Sequence, residues 1–440
     1  MDRRNFIAHS SGILLAATSP LIWADDDKKS TAQKPAAATP KPTTSTPSAS
    51  TAKSTVIVIG GGMAGATVAK YLRLWGDSIH VILIERSASY TSNIMSSMVL
   101  TGQRPLSSLV YRYDTLLSAY GVQVITDEVL EIDPVGVKVR LASGTQLSAD
   151  RIVLAPGIDF DTVPGLGTSD RMPHAWKAGP QTTLLAQQLV AMPDNGVAVL
   201  TIPKTPYRCP PGPYERACLL ADWLKVRKPR AKLLVLDANP DFVTEKDNFT
   251  QAFLGLHGSV IEYHNNAEVT QVDPASMSLT TTAGTFRNAN VVNMIPRQRA
   301  GSLVAKTGLA NATEGRFAAV DSLSYASTLA PRIHIIGDAS ATTQPKTGHI
   351  ANQEAKVCAD AIVRSLAGLL PDPAPATNSA CYSTITMTQA SWLTAVFQYD
   401  PASAGMKAVA ASAAASVGWN QDNFDQMNTW FKALMADSFA

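Results

Sequence analysis

A cysteine in the segment Tyr207-Arg208-Cys209-Pro210-Pro211-Gly212-Pro213 is the most informative chemical group in this 440-residue chain. It follows the apolar run Val197-Ala198-Val199-Leu200-Thr201-Ile202, which reads as the first strand of a nucleotide-binding type of βαβ unit. A unit of that kind holding NAD would carry G-x-G-x-x-G at the next turn, because glycines let the main chain close on a pyrophosphate at a helix N-terminus. Here the turn is rich in proline and holds a thiol. The unit offers sulfur chemistry where a pyrophosphate site would stand.

An earlier unit has the full dinucleotide pattern. Val56-Ile57-Val58-Ile59 runs into Gly60-Gly61-Gly62-Met63-Ala64-Gly65, then into a helical stretch from Ala66 to Trp75. The next strand, His80 to Ile84, ends at Glu85. Gly60, Gly62 and Gly65 form the phosphate turn, and Glu85 is expected to accept hydrogen bonds from ribose hydroxyls while its charge repels a 2′-phosphate.

Two later segments point to FAD rather than NAD. Asp150-Arg151-Ile152-Val153-Leu154-Ala155-Pro156-Gly157 reads as a strand and tight turn where a flavoprotein chain leaves its cofactor domain. In Ile333-His334-Ile335-Ile336-Gly337-Asp338-Ala339, Gly337 would admit a ribityl chain and Asp338 would hydrogen-bond it; an ordinary helix-capping role for Asp338 is the alternative. The run from Lys346 to Gln353 looks like a helix start, whose dipole would stabilise negative charge on a reduced flavin.

These elements need a scaffold. The expected fold class is α/β, with two Rossmann-like domains arranged as in glutathione reductase and a small C-terminal domain. The expected boundaries are 54–162 and 303–370 for the FAD-binding domain, 163–302 for the second Rossmann-like domain without an NAD motif, and 371–440 for a C-terminal interface domain opening at Pro371-Asp372-Pro373-Ala374-Pro375. Residues 1–24, with Arg3-Arg4, a mildly apolar stretch and Ala24 at the end, suit a twin-arginine signal peptide. Residues 25–53, built of Lys, Ser, Thr, Ala and Pro, suit a disordered linker. Periplasmic localisation follows from that reading.

The formal net charge of +2 provides no strong steering toward nucleic acid, and no apolar run reaches transmembrane length. Four cysteines are too few for a disulfide scaffold in so long a chain, and no C-x-x-C-H site for c-type haem occurs. No metal site is expected.

Tyr207 to Ala217, Pro173-His174-Ala175-Trp176-Lys177-Ala178-Gly179, Gln298-Arg299-Ala300-Gly301 and Cys381-Tyr382-Ser383-Thr384 resemble the flavoprotein subunit of flavocytochrome c sulfide dehydrogenase. The resemblance runs from about Ser54 to the C-terminus. It implies that Cys209 and Cys381 form a redox-active disulfide beside the flavin, that sulfide is the substrate, and that a separate c-type cytochrome subunit is the partner. Hydrosulfide attacking such a disulfide would leave a persulfide on one cysteine and free the other as a thiolate. Glu215, six residues past Cys209 on a helix start, is the candidate for handling protons there, or else a carboxylate stabilised by the helix dipole. Cys218 and Cys358 read as buried small apolar residues.

One departure from the family is plain. Members often link FAD through a cysteine in a Tyr-Thr-Cys segment, whereas this chain has Tyr90-Thr91-Ser92, with no cysteine between Ser54 and Tyr207. Noncovalent FAD is therefore expected. Trp392, Trp419 and Trp430 are expected in a small interface core or on a partner surface. The competing functions are a sulfide:quinone oxidoreductase, which needs an apolar membrane-facing tail; an NAD(P)H-dependent disulfide reductase, which needs a second glycine motif; and a non-catalytic flavin electron-transfer partner, which would not need both cysteines.

Overall fold

The computed structural model describes residues 53–440. The signal peptide and all but the last residue of the linker lie outside the described residues. Strand β1 (Ser54–Ile59), helix α1 (Met63–Trp75) and strand β2 (Ile79–Glu85) build the first unit. Their parallel sheet has five strands in the order Ile333–Ile335, Arg151–Leu154, β1, β2, Gln123–Thr126. Val56, Ile57, Val58, Val81 and Leu83 are fully buried, as continuous apolar strands must be when helices cover both faces.

A second parallel sheet of four strands runs Ile261–His264, Lys232–Asp237, Val197–Ile202, Val291–Asn293. Its central strand β3 (Val197–Ile202) leads through a nine-residue loop, 203–211, to helix α2 (Gly212–Arg227), and then to β4 (Lys232–Asp237). Ile158–Phe160 and Gln298–Ala300 pair as a two-stranded antiparallel ribbon where the chain passes out of the first sheet and back. The α/β expectation therefore holds, with two sheets of Rossmann type.

Helix α3 (Gly348–Leu366) packs along α1, and the chain then forms an antiparallel sheet from β5 (Ala376–Thr384), β6 (Ala390–Asp400) and two short strands. β5 is an edge strand of that sheet. The last helix, α4 (Gln421–Phe439), buries Met427, Phe431, Leu434, Met435 and Phe439 against the first unit. Phe439 stacks on Tyr90, centroids 5.3 Å apart. Cys218 on α2 and Cys358 on α3 are fully buried among apolar side chains. No helix among the described residues is long and apolar enough to cross a membrane, and no group of three His, Cys, Asp or Glu able to hold a metal occurs among them.

Candidate active site

A cavity of about 530 Å³ opens where β1 meets α1 and extends to the sulfur-bearing loop and β5. Gly60, Gly62, Glu85, Gly337, Asp338, Cys209, Glu215 and Cys381 all line it. One space thus collects residues from four distant stretches of chain.

The glycine turn is built by close approach. Gly60 has φ +99°, and a Cβ there would lie 2.4 Å from the Ala155 carbonyl oxygen; one on Gly65 would lie 1.7 Å from the Gly60 oxygen. Gly65 does not line the cavity: it lets α1 sit against β1, which aims the helix N-terminus into the space. Glu85 accepts the Gly61 N–H at 2.8 Å and the Ser87 N–H at 3.1 Å, so the acidic strand end also braces the turn.

On the opposite wall, Gly337, at φ +68°, opens a short 3₁₀ turn through Ala339. Asp338 caps no helix there. Burial raises its pKa, opposed by the charges of Arg208 and Lys346. Behind the turn, Glu354 of α3 accepts the Gly337 N–H at 2.7 Å, and burial lifts this carboxyl to about 7. The start of α3 also reaches the cavity through Thr347, Gly348 and His349.

Cys209 sits in the 203–211 loop at φ +59°, left-handed backbone that a non-glycine residue adopts at a cost of about 1–3 kcal/mol. The conformation is held by its N–H, which donates to the Lys346 carbonyl at 2.6 Å, and by its carbonyl, which accepts the Gly212 N–H at 2.8 Å. Cys381 is on β5. Both sulfurs are thiols in this structure and no bond joins them. The disulfide implied by the resemblance is therefore not present here, although each cysteine feels the same cavity. Burial pushes the Cys209 thiol well up, with Cys381 as the next cause, and burial and Glu245 push Cys381 up to about 12.

Glu215 lies in the first turn of α2 and accepts the Thr384 hydroxyl at 3.0 Å. Desolvation lifts it to about 7, partly offset by that hydrogen bond and by Arg216. It has the helix-start position and the poised proton together. Arg216 is buried and donates to Ser97 Oγ, Asn293 Oδ1 and the Ala175 carbonyl; burial brings it down to about 9, so it stays charged near neutral pH. Its guanidinium lies 4.7 Å, and that of Arg208 5.8 Å, from the Trp176 ring.

Several participants are not apparent from sequence spacing alone. Glu245, in a loop after β4, accepts Ser383 and Ser391 hydroxyls at 2.6 Å each, from paired positions on β5 and β6. Its charge raises the pKa values of both Glu215 and Cys381. Arg216 stood inside a motif already singled out, next to Glu215, but nothing local marked it as buried. Of the three tail tryptophans, only Trp430 lines the cavity.

The wall fits a flavin dinucleotide. The crowded glycine turn leaves an uncovered main-chain surface for phosphates, and Trp176 Nε1 and Trp430 Nε1 are buried donors without a partner on the same wall. Ser92 is fully buried, its hydroxyl 3.3 Å from the Ile94 carbonyl; Tyr90, Thr91, Asn93 and Ile94 line the cavity and Ser92 does not.

The corresponding strand end of the second unit is closed. Asp237, at the end of β4 where a dinucleotide fold keeps its ribose acid, is fully buried and accepts Tyr214 OH at 2.7 Å, Tyr263 OH at 2.9 Å and Asn239 N–H at 2.9 Å. Tyr214, Phe242, Phe249, Phe253 and Tyr263 pack edge and face around it.

Residues 182–296 match the family model for the central part of the sulfide dehydrogenase [flavocytochrome c] flavoprotein chain, and 373–439 match the flavocytochrome c sulphide dehydrogenase flavin-binding model. Residues 54–191 match the pyridine nucleotide-disulphide oxidoreductase model. Mitochondrial sulfide:quinone oxidoreductase of Mus musculus is 27% identical over 188 residues, 41% of each chain. A probable ferredoxin reductase, CtmF, of Castellaniella defragrans is 35% identical over 105 residues, 23% of this chain and 26% of that one. The chain thus spans less than half the length of these curated relatives. Among solved structures, sulfide:quinone oxidoreductase from Aquifex aeolicus superposes with TM-score 0.72 at 18% identity, covering 88% of this chain and 91% of that one. An NAD-dependent persulfide reductase from A. fulgidus gives 0.59 at 15%, covering 86% and 77%. Both likenesses speak for the fold.

Proposed function

We propose that this chain, which belongs to the flavocytochrome c sulfide dehydrogenase flavoprotein family, oxidises hydrosulfide at Cys209 and Cys381 and passes the electrons to a separate c-type cytochrome. The observation that carries the reading is the meeting of the two cysteines on the wall of the cavity onto which the glycine turn opens. Export by the twin-arginine route and a periplasmic location complete it.

The working state has a bond between Cys209 Sγ and Cys381 Sγ. Arg208 and Arg216 on the cavity wall attract the anion. Hydrosulfide forms a new S–S bond to one sulfur, the old bond breaks, and its electron pair leaves on the other sulfur as a thiolate. When that thiolate re-forms the bond with the persulfide-bearing cysteine, one zero-valent sulfur, one proton and two electrons are released. The ionised Glu215 takes the proton; its burial gives it the affinity to do so near neutral pH.

Glu85, Gly60, Gly62 and Asp338 would hold FAD, whose chemistry when bound is to accept an electron pair and release it as single electrons. The attachment is noncovalent, a reading supported by Ser92 having its side chain outside the cavity wall. Acid precipitation is expected to leave the yellow colour in the supernatant, and colour held in the pellet would contradict it. Helix α4 packs its apolar face on the first unit rather than presenting it to a membrane, which speaks against a quinone-reducing role. Sulfide-dependent reduction of soluble cytochrome c, unaffected by quinone analogues, is the expected activity; turnover that requires a quinone would overturn the acceptor assignment.

A further inference from the structure

Cys209 lies in a loop and Cys381 on a strand of a separate sheet, and a bond between them needs their segments held at a fixed separation. The start of α3 touches both. The Lys346 carbonyl accepts the Cys209 N–H at 2.6 Å. Three residues on, His349 Nδ1 accepts the N–H of Ala380, the residue before Cys381, at 3.0 Å. Thr347 Oγ1 caps the helix between them by accepting the Ile350 N–H at 3.2 Å, so both anchor points belong to one rigid helix start.

The Ala380 bond answers a requirement of the sheet. β5 is an edge strand, so alternate N–H groups point away from β6 and must find other partners when buried. An imidazole can serve as that acceptor only while it is neutral, with its proton on Nε2. Desolvation, then the charge of Lys356, keeps the ring neutral by bringing its pKa down to about 4.

We propose that His349 is a positioning residue of the sulfur pair, whose Nδ1 holds the Cys381 strand in register with the Cys209 loop that Lys346 fixes. This rests on the reading that the two sulfurs bond in the working enzyme. Removing the acceptor leaves the Ala380 N–H unsatisfied and lets the strand edge move, so the sulfurs meet less often. The bond then becomes easier to reduce.

The test uses purified holoprotein under argon, equilibrated with mixtures of reduced and oxidised dithiothreitol, alkylated, and scored for the Cys209–Cys381 bond by peptide mass spectrometry. His349→Leu is expected to lose half the bond at a roughly tenfold lower ratio of reduced to oxidised reagent than the unaltered protein. His349→Asn, which offers an oxygen at the δ position, should stay within about threefold of the unaltered value. A His349→Leu midpoint within about twofold of the unaltered protein overturns the assignment, as does an Asn variant displaced as far as the Leu one. If the Leu variant does not fold, His349→Gln, whose oxygen lies one bond further out, carries the same expectation. Failure of the underlying reading looks different: the unaltered protein itself would show no Cys209–Cys381 bond at any ratio, and the proposal would fall with it.

Discussion

The two parallel-sheet units share a strand, a turn, a helix and a second strand ending in an acid, yet that acid lines the cavity in the first and is sealed in the second. In the first, the turn is glycine packed so tightly that a Cβ would strike main chain, and Glu85 stands at the cavity wall. In the second, the loop before α2 is longer, is built on prolines and carries a thiol, and Asp237 is sealed beneath two tyrosine hydroxyls and an aromatic cluster. Topology supplies the helix N-terminus and the strand end in both places. Turn chemistry and the side chains above the strand end decide whether a nucleotide or a sulfur occupies the position. In this molecule the second unit has turned its helix start toward the first unit's cavity, where Cys209 and Glu215 face what the glycine turn holds.

The largest effects are expected at the sulfur. Cys209→Ser and Cys381→Ser should each lower sulfide-dependent flavin reduction by at least about a thousandfold while the protein keeps its yellow colour, because the electrophile needs both sulfurs. Rapid-mixing absorbance measurements read this directly, and substantial reduction in either variant would mean that the second unit's thiol is not its working group.

Glu215→Gln should lower the same rate by about a hundredfold and flatten its dependence on pH around 7. It also makes a stability prediction with a definite sign. The folded-state pKa of Glu215 is raised from 4.5 to about 7, so the folded chain binds this proton more tightly than the unfolded chain. The stability so conferred is fully present below pH 4.5 and is lost as pH rises through 7. Thermal melts should therefore show the Gln variant gaining on the unaltered protein as pH climbs across that window; parallel curves would show that the carboxyl is not buried as described.

Much of the nucleotide half was legible in the chain because its signals are local. Gly60, Gly62, Gly65 and Glu85 lie within one βαβ unit, and Gly337-Asp338 ends an apolar strand; short-range spacing is enough to read them. Cys209 was conspicuous because proline and a thiol replaced glycine at a turn. Its link to Cys381 came only from a family resemblance, since no local pattern in β5 distinguishes that cysteine from Cys218 or Cys358. Glu245, Arg216 and His349 were not legible as site residues. Their surroundings are made by contacts between residues 31 to 146 positions apart in the chain: Glu245 with Ser383 and Ser391, Arg216 with Ser97 and Asn293, His349 with Ala380.

Asp237→Asn sharpens the contrast from the other side. The substitution puts an amide where two tyrosine hydroxyls donate, so stability should fall by about 1–3 kcal/mol in denaturant unfolding, with sulfide oxidation changed less than about threefold. Added NADH should leave the flavin oxidised in both proteins under anaerobic conditions. Bleaching by NADH would show that the aromatic cluster does not close the second unit to nucleotides.

Sulfide oxidation at the cysteine pair is tested by an anaerobic titration of the purified, oxidised protein with sulfide while flavin absorbance is followed and thiols are trapped at each point. The flavin is expected to bleach as sulfide is added, with trapped persulfide only on Cys209 or Cys381. Bleaching with both of those cysteines unmodified throughout, or no bleaching at any sulfide level, would contradict sulfide oxidation at the pair.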